Sequence, residues 1–446
     1  MPHAAPQPLG VARARALAGR VTVPGDKSIS HRALLFGALA TGRTHIKGLL
    51  EAEDILNTAR AVAALGAATE KSGNEWIVTG RGVGGLIPPT GDLDFGNSGT
   101  GTRLMMGVIT GHDMTVRLTG DASLSRRPMG RVLGPLKSMG LHVLSDSGGR
   151  LPLSLRGTSD LVPISYTLPV PSAQIKSAIL IAGLHAPGET TVVEPEATRD
   201  HTERMLRHFG ATVRVESGNG GRIVAVAGDA ELDGRHIQVP GDPSSAAFLL
   251  AAAAIVPGSD VTVTGVLVNP TRTGFYLTLQ EMGADIAYLN ERDAGGEPIA
   301  DIRVRAARLK GVRIPPGRAP SMIDEYPVLA AVAAYADGET HMEGLAELKV
   351  KESDRLAATA DGLTANGVAC RIDGDTLVVA GGSVRGGGTV ATHLDHRIAM
   401  AFLTLGLGAD RPVVVDDVGM IATSFPEYRQ LMEGLGAIFI QAERVP

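Results

Sequence analysis

Six short polar clusters hold many of the residues of this chain that could do chemistry. They are Lys27-Ser28 with His31 and Arg32, Asn97-Ser98-Gly99-Thr100 with Arg103, Ser172-Ala173-Gln174 with Lys176, Asp242-Pro243-Ser244-Ser245, Asp324-Glu325, and Asp395-His396-Arg397. Each opens or directly precedes an apolar stretch such as ALLFGALA, IKSAILIAGL, AAFLLAAAAIV or YPVLAAVAAYA. Helix N-termini carry unpaired N–H groups and a partial positive charge, so they bind anions. With lysine and arginine added, such ends predict an electropositive site for a substrate bearing several phosphates or carboxylates. The same residues have structural uses. Ser28, Ser172, Ser244 and Asp324 read as N-caps. Arg126, Arg127 and Arg131 in SLSRRPMGR suit a solvated helix start. Lys351, Glu352, Asp354 and Arg355 in LKVKESDRL suit an ion-pair face at i,i+3 or i,i+4. Recurrence argues for chemistry: the clusters fall at equivalent places in a repeated unit.

That unit shows first as an echo. VTVPGDKSISHRALLFGALA begins at Val21, and IQVPGDPSSAAFLLAAAAIV begins at Ile237, yet only the first copy carries Lys27, His31 and Arg32. Both read as a strand, a Pro-Gly-Asp turn and a buried helix. A second marker is an amphipathic helix ending on an apolar or polar residue, Gly and a small or apolar residue. It recurs at Gly66, Gly140, Gly210, Gly283, Gly367 and Gly436, where a left-handed C-cap wants glycine. The spacing averages about 74 residues, so six units fill the chain. Gly-turns into strands (TGRTHIKGL, TGHDMTVRL, PGETTVVEP, PGSDVTVTG, DGETHMEGL, GADRPVVVDD) supply several strands per unit. A helix apolar all round must be covered on all sides. Helices inside and sheets outside is the packing this predicts: an α/β chain of two inside-out barrel domains, each of three units. The echo divides them, with residues 23–240 as an inserted domain and 1–22 plus 241–446 as a discontinuous one. The chain is expected to cross between domains twice, with a ligand site in the cleft.

Composition narrows the function classes. A chain of 446 residues, 44% hydrophobic, can bury large cores. Its 42 basic and 47 acidic residues give a net charge of -5, so the basic field that favours nucleic acid is missing. Aromatics at 3% argue against stacking on single strands. One cysteine, Cys370, rules out an internal disulfide and suits a reducing compartment. The longest apolar run, Ala246 to Val256, is too short to span a bilayer. MPHAAPQPLGVARARALAGR has no apolar core of a signal peptide and reads as a cytosolic start. His393 and His396 bring no third ligand cluster, so no metal is expected. Gly80-Arg81-Gly82-Val83-Gly84-Gly85 is followed by Pro88-Pro89 where a dinucleotide-binding helix should begin, and no GK[ST] phosphate loop occurs.

PGDKSISHRALLFGALATG, GNSGTGTRL, DASLSRRPMGR, PSAQIKSAILIAGL, DEYPVLAAVAA, VKESDRL and DHRIAMAF, in this order, resemble 5-enolpyruvylshikimate-3-phosphate synthases over essentially the whole chain. GDASLSRRPMGRVLGPLKSMG and IATSFPEY look like the class II branch, known for tolerance to the inhibitor glyphosate. The resemblance implies two inside-out α/β domains closing on substrate. It implies transfer of the enolpyruvyl group of phosphoenolpyruvate to the 5-hydroxyl of shikimate 3-phosphate through a tetrahedral ketal, with phosphate released. It further implies a cytoplasmic monomer, no cofactor, and glyphosate as an inhibitor.

By the same resemblance Asp324 is the base for the 5-hydroxyl, and Glu352 gives and recovers the methyl proton. Lys27 sits between the substrates. Arg127, Gln174 and the Gly99 backbone meet the phosphoenolpyruvate phosphate, and Arg355 and Arg397 its carboxylate, where a planar fork suits bidentate pairing. Ser28 and Arg32 take the shikimate carboxylate side, Ser172, Ala173 and Arg199 its phosphate, and Lys351 adds charge near the ring; Gln174 and Asp324 also face this substrate. Asn97 and His396 are further candidates, able instead to orient neighbours. Two departures stand out. Many members carry a lysine before the last Thr-Phe-Pro, where this chain has Thr423-Ser424-Phe425-Pro426. Tolerant class II enzymes carry alanine where this chain has Gly99, so greater glyphosate sensitivity is expected here. The rival UDP-N-acetylglucosamine enolpyruvyl transferases use a loop cysteine; residues 111–131 contain none. A non-catalytic scaffold for anionic partners would not need Asp324 and Glu352 beside so many cations.

Overall fold

The computed structural model describes residues 5–218 and 220–441; the first four residues of the N-terminal stretch read above lie outside them. The described residues form two units. One comprises those up to Pro24, Gly241–Arg292 and those from Pro298 on, the other those of Gly25–Pro240 with Asp293–Glu297. The short segment Asp293–Glu297 was not marked by any feature of the sequence. It joins the second unit through Glu297, whose Oε1 lies 2.8 Å from His201 Nδ1.

Each repeat contributes one buried helix: Lys27–Leu39, Gly99–Thr110 and Ala173–Gly183 in the second unit, Pro243–Ile255, Tyr326–Ala333 and His396–Gly406 in the first. Every residue of Pro243–Ile255 is buried, as a segment without a polar face requires. Six amphipathic helices end at the six marker glycines, and all six glycines have positive φ. That conformation carries little penalty only for a residue without Cβ.

Among the described residues the strands form six four-stranded sheets. In each, an edge strand runs parallel to its neighbour, and that neighbour pairs antiparallel with the next. Strand Arg43–Lys47 shows why the sheets stay outside the helices: Thr44 and Ile46 are buried while Arg43 and Lys47 face solvent. Such alternation covers one face only. Leu9–Ala12 completes a first-unit sheet by pairing with both Val413–Val415 and Ile438–Gln441.

The capping assignments need correction. Asp26, not Ser28, caps the Lys27 helix, accepting from Ile29 N at 2.8 Å. Asp242, not Ser244, caps Pro243–Ile255, accepting from Ser244 N at 3.0 Å. A carboxylate two residues earlier captures the free N–H groups first, and Pro243 at the first helical position leaves Asp242 as the boundary. Asp324 lies in a short 3-10 turn, Ile323–Glu325, and Glu325 at the cap makes no side-chain capping bond. Ser172 caps its helix as read, accepting from Ile175 N.

Candidate active site

In the second unit the polar clusters stand at the starts of the Lys27, Gly99 and Ala173 helices. Lys27 Nζ pairs with Asp54 at 2.8 Å. Arg32 is buried and held mainly by neutral partners: Nε donates to Thr202 at 2.7 Å, Nη2 to Ser177 at 2.8 Å, and Nη1 to the Ser28 carbonyl at 3.0 Å. Burial lowers its pKa to about 10 against the opposing pull of Glu203 and Asp26. Arg127 donates to the Asn97 side chain, to the Asn97 carbonyl at 3.3 Å and to Ser123 at 3.2 Å. Asn97 Nδ2 in turn donates to Asp121 at 2.8 Å. Gln174 accepts from Arg103 at 2.9 Å and donates to Thr100 at 2.9 Å. Arg103, Arg127, Gln174, Asn97, Thr100 and Gly99 are thus one connected group. A Cβ on Gly99 would lie 2.9 Å from Arg103 Nη1 and 3.0 Å from Arg127 Nη1, so glycine sets how close both guanidiniums come to this helix end. Ser172, Ala173 and Arg199 are half-buried.

Two residues of these clusters serve the fold. Lys176 is fully buried between Glu194 and Glu203, 3.1 and 2.7 Å away. A buried ammonium needs such pairing, and that removes Lys176 from ligand contact. His31 is also fully buried, with Nδ1 2.9 Å from Thr58 and Nε2 3.4 Å from Ser98, the cap of the Gly99 helix. Burial above all, then Lys27 and Arg32, pushes its pKa well below the ordinary value and keeps the ring neutral. It links the Lys27 helix to the Gly99 helix.

In the first unit the centre is Arg355, 1% exposed. Nε and Nη2 grip Asp395 at 2.8 and 3.2 Å, Nη1 reaches Asp324 at 3.2 Å, and Nη2 reaches Glu352 at 2.5 Å. Burial alone would weaken its charge, but Asp395, Glu352 and Asp324 outweigh it and drive the pKa above the usual arginine range. Burial likewise favours the neutral form of Asp395; Arg355 overcomes this and holds the carboxyl below its ordinary value. Asp395 also accepts from Ser353 at 3.0 Å and caps the His396 helix through Arg397 N at 2.9 Å. Lys351 Nζ lies 3.6 Å from Asp324. Arg397 Nη1 donates to the Asp324 carbonyl at 3.3 Å and lies 3.7 Å from Glu325. His396 is buried beside Asp395. Asp324, Lys351, Glu352, Arg355 and Arg397 therefore meet, although 73 positions separate the first from the last.

The echoed segment shows what its second copy does. Ser244 donates to Glu325, while Arg272 reaches Asp242 at 3.2 Å and Ser244 at 3.1 Å. This buried network braces the Asp324 turn. Sequence reasoning missed Asp54, whose place in the first turn of Glu53–Ala64 looks like ordinary helix-dipole chemistry. It also gave Asp395 no role, because nothing local says which arginine a capping aspartate will meet. Cys370, half-buried, opens the strand Cys370–Asp373. Among the described residues two groups could hold a metal ion, His45 with Glu75 and His236, and Asp200 with His201 and Glu297; neither contains a residue named above for substrate. No helix among them is long and apolar enough to cross a membrane.

The family described as EPSP synthase (3-phosphoshikimate 1-carboxyvinyltransferase) matches residues 11–432. A 3-phosphoshikimate 1-carboxyvinyltransferase from Parvibaculum lavamentivorans is 61% identical over 429 residues, covering 95% of each chain. One from Pseudomonas sp. strain PG2982 is 59% identical over 442 residues, covering 98% of each. The solved EPSP synthase from Acinetobacter baumannii superposes with a TM-score of 0.87 at 44% identity, covering 98% of this chain and all of that one.

Proposed function

The chain belongs to the EPSP synthase family and transfers the enolpyruvyl group of phosphoenolpyruvate to shikimate 3-phosphate, and we propose that the two residue sets described above perform this reaction. The 5-hydroxyl adds to C2 of phosphoenolpyruvate as C3 takes a proton, which gives a tetrahedral ketal. Phosphate then leaves as the methyl gives up a proton. A base, a proton carrier and cations for two phosphates and two carboxylates are needed.

The observation that carries the assignment is the Arg355 cluster, where Asp324 and Glu352 share one buried guanidinium. Asp324 takes the hydroxyl proton, and Glu352 delivers and recovers the methyl proton. Arg355 and Arg397 receive the phosphoenolpyruvate carboxylate. That carboxylate replaces Asp324 on Arg355 Nη1, and Asp324 is released to act as base. Lys351 balances charge near the ring. From the second unit, Lys27 lies between the substrates, Arg127 and Gln174 hold the transferred phosphate beside Gly99, and Asn97 orients Arg127. Ser28 and Arg32 take the shikimate carboxylate, and Ser172, Ala173 and Arg199 its phosphate. Family likeness further supports a cytoplasmic monomer, with glyphosate competing for the phosphoenolpyruvate position.

Phosphate release from phosphoenolpyruvate, with shikimate 3-phosphate and UDP-N-acetylglucosamine as separate acceptors, tests the reading. Release with shikimate 3-phosphate alone is expected. Release with the sugar nucleotide alone, or with neither, overturns it.

A further inference from the structure

The sheet of the second unit that contains Arg43–Lys47 carries a donor set with no part in the reaction. His45 lies on that strand, with His236–Gln238 on one side and Glu75–Thr79 on the other. His236 stands directly across from His45 in parallel register, and Glu75 faces Lys47, one step along the same face. The two imidazoles stack with centroids 4.6 Å apart and planes 18° from parallel. His45 Nδ1 lies 3.0 Å from Glu75 Oε2, and one ligand atom from each of the three residues falls within 4.8 Å of the others. His45 and Glu75 are half-buried, and His236 is exposed.

An ordinary ion pair would use one imidazole and one carboxylate. The second imidazole has no use in such a pair; were it also protonated, two like charges would be stacked face to face. Two imidazoles beside a carboxylate are instead the nitrogen and oxygen donors that borderline divalent ions select. Neighbouring arginines are already committed, Arg43 to Glu70 at 2.6 Å and Arg235 to Asp233 at 3.0 Å. Lys47 opposes a cation at this place and caps its affinity.

We propose that His45, Glu75 and His236 form a binding site for a divalent transition-metal ion of zinc character, with solvent completing the coordination. Tetrahedral coordination at about 2.0–2.1 Å brings neighbouring ligand atoms to about 3.3 Å, a contraction that rotation of these surface side chains can supply. The ion would tie together three strands, the last of which precedes Pro240 at the end of the unit. It would stabilise the folded unit in proportion to its occupancy.

The test is equilibrium dialysis of the untagged full-length chain against Zn2+ alone at neutral pH, with thermal unfolding followed in parallel. One ion per chain at micromolar free zinc is expected, with a raised Tm. His236→Ala and Glu75→Gln should each weaken binding about tenfold or more and leave turnover with shikimate 3-phosphate unchanged. His236 is exposed, so its replacement does not threaten folding. Absence of bound zinc at that concentration would overturn the proposal. Affinity unchanged from the parent chain in both variants would do the same, since the ion would then sit elsewhere, with Asp200, His201 and Glu297 the first place to look.

Discussion

The two units use one scaffold for opposite electrostatic purposes. In the second, hydroxyl and amide groups meet the arginines at the helix starts: Thr202 and Ser177 meet Arg32, Asn97 and Ser123 meet Arg127, and Gln174 meets Arg103. Lys27 and Lys176 instead meet carboxylates, Lys27 that of Asp54 and the buried Lys176 those of Glu194 and Glu203. In the first unit the central arginine is surrounded by carboxylates, Asp395, Asp324 and Glu352. Cations with neutral partners keep their charge available to phosphate, which suits an anion cradle. A guanidinium ringed by carboxylates holds Asp324 and Glu352 in place, where the proposed roles have a substrate carboxylate exchange with one of them. On the proposed roles, this difference separates binding from proton transfer while both start from helix N-termini.

The strongest way to break this contrast is to remove a proton carrier. Glu352→Gln and Asp324→Asn should each lower kcat by about 10²–10⁴ with phosphoenolpyruvate binding retained, read by steady-state kinetics alongside calorimetric titration. Loss of binding with kcat intact would assign both carboxylates to the cradle instead.

Stability should divide the two arginines. Arg355→Leu strands the buried Asp395 and should cost about 3–5 kcal/mol in urea unfolding. Arg32→Leu leaves mainly hydroxyls without a partner and should cost about 1–3 kcal/mol. Equal losses would erase the distinction.

The pH response should also differ. His31, His112 and His185 all lie in the second unit, and burial lowers each from 6.5, His185 to about 3. The unfolded chain binds protons at these rings near the ordinary value while the folded unit does not. Stability from them is therefore complete above about pH 6.5 and falls below it, by roughly 1.4 kcal/mol per pH unit for each histidine until its folded value is reached. Hydrogen exchange between about pH 7 and pH 5 should loosen the Lys27 and Ala173 helices before Pro243–Ile255; simultaneous loosening would contradict the assignment.

The smallest expected effect is at Gly99. A methyl group would press on the ends of Arg103 and Arg127, and because those ends can yield, about 1 kcal/mol, the low end for overpacking, is expected. Gly99→Ala should therefore raise KM for phosphoenolpyruvate severalfold and raise the glyphosate inhibition constant by more. An unchanged ratio of the two constants would remove Gly99 from inhibitor discrimination.

Much of the architecture could be read without coordinates because its causes are local. Six glycines with positive φ end six helices, and Pro243–Ile255 is apolar on every face; both follow from backbone sterics and helical periodicity. Even the placement of the polar clusters at helix starts is a property of short segments. Local reasoning failed by two residues at these caps, where Asp26 and Asp242 compete with Ser28 and Ser244 and win by charge.

Partner choice lay beyond the sequence. Lys176 looked like the lysines and arginines of the other clusters, yet Glu194 and Glu203 bury it. Asp54 looked like a first-turn acid, yet it holds Lys27. His45, Glu75 and His236 are ordinary residues until three strands set them side by side. The chain alone determined its repeats, its buried helices and the kinds of charge at their starts, because each depends on neighbours within a turn or two. Tertiary structure decided which carboxylate meets which cation, because those pairs span tens to hundreds of residues and form only when the sheets and helices pack.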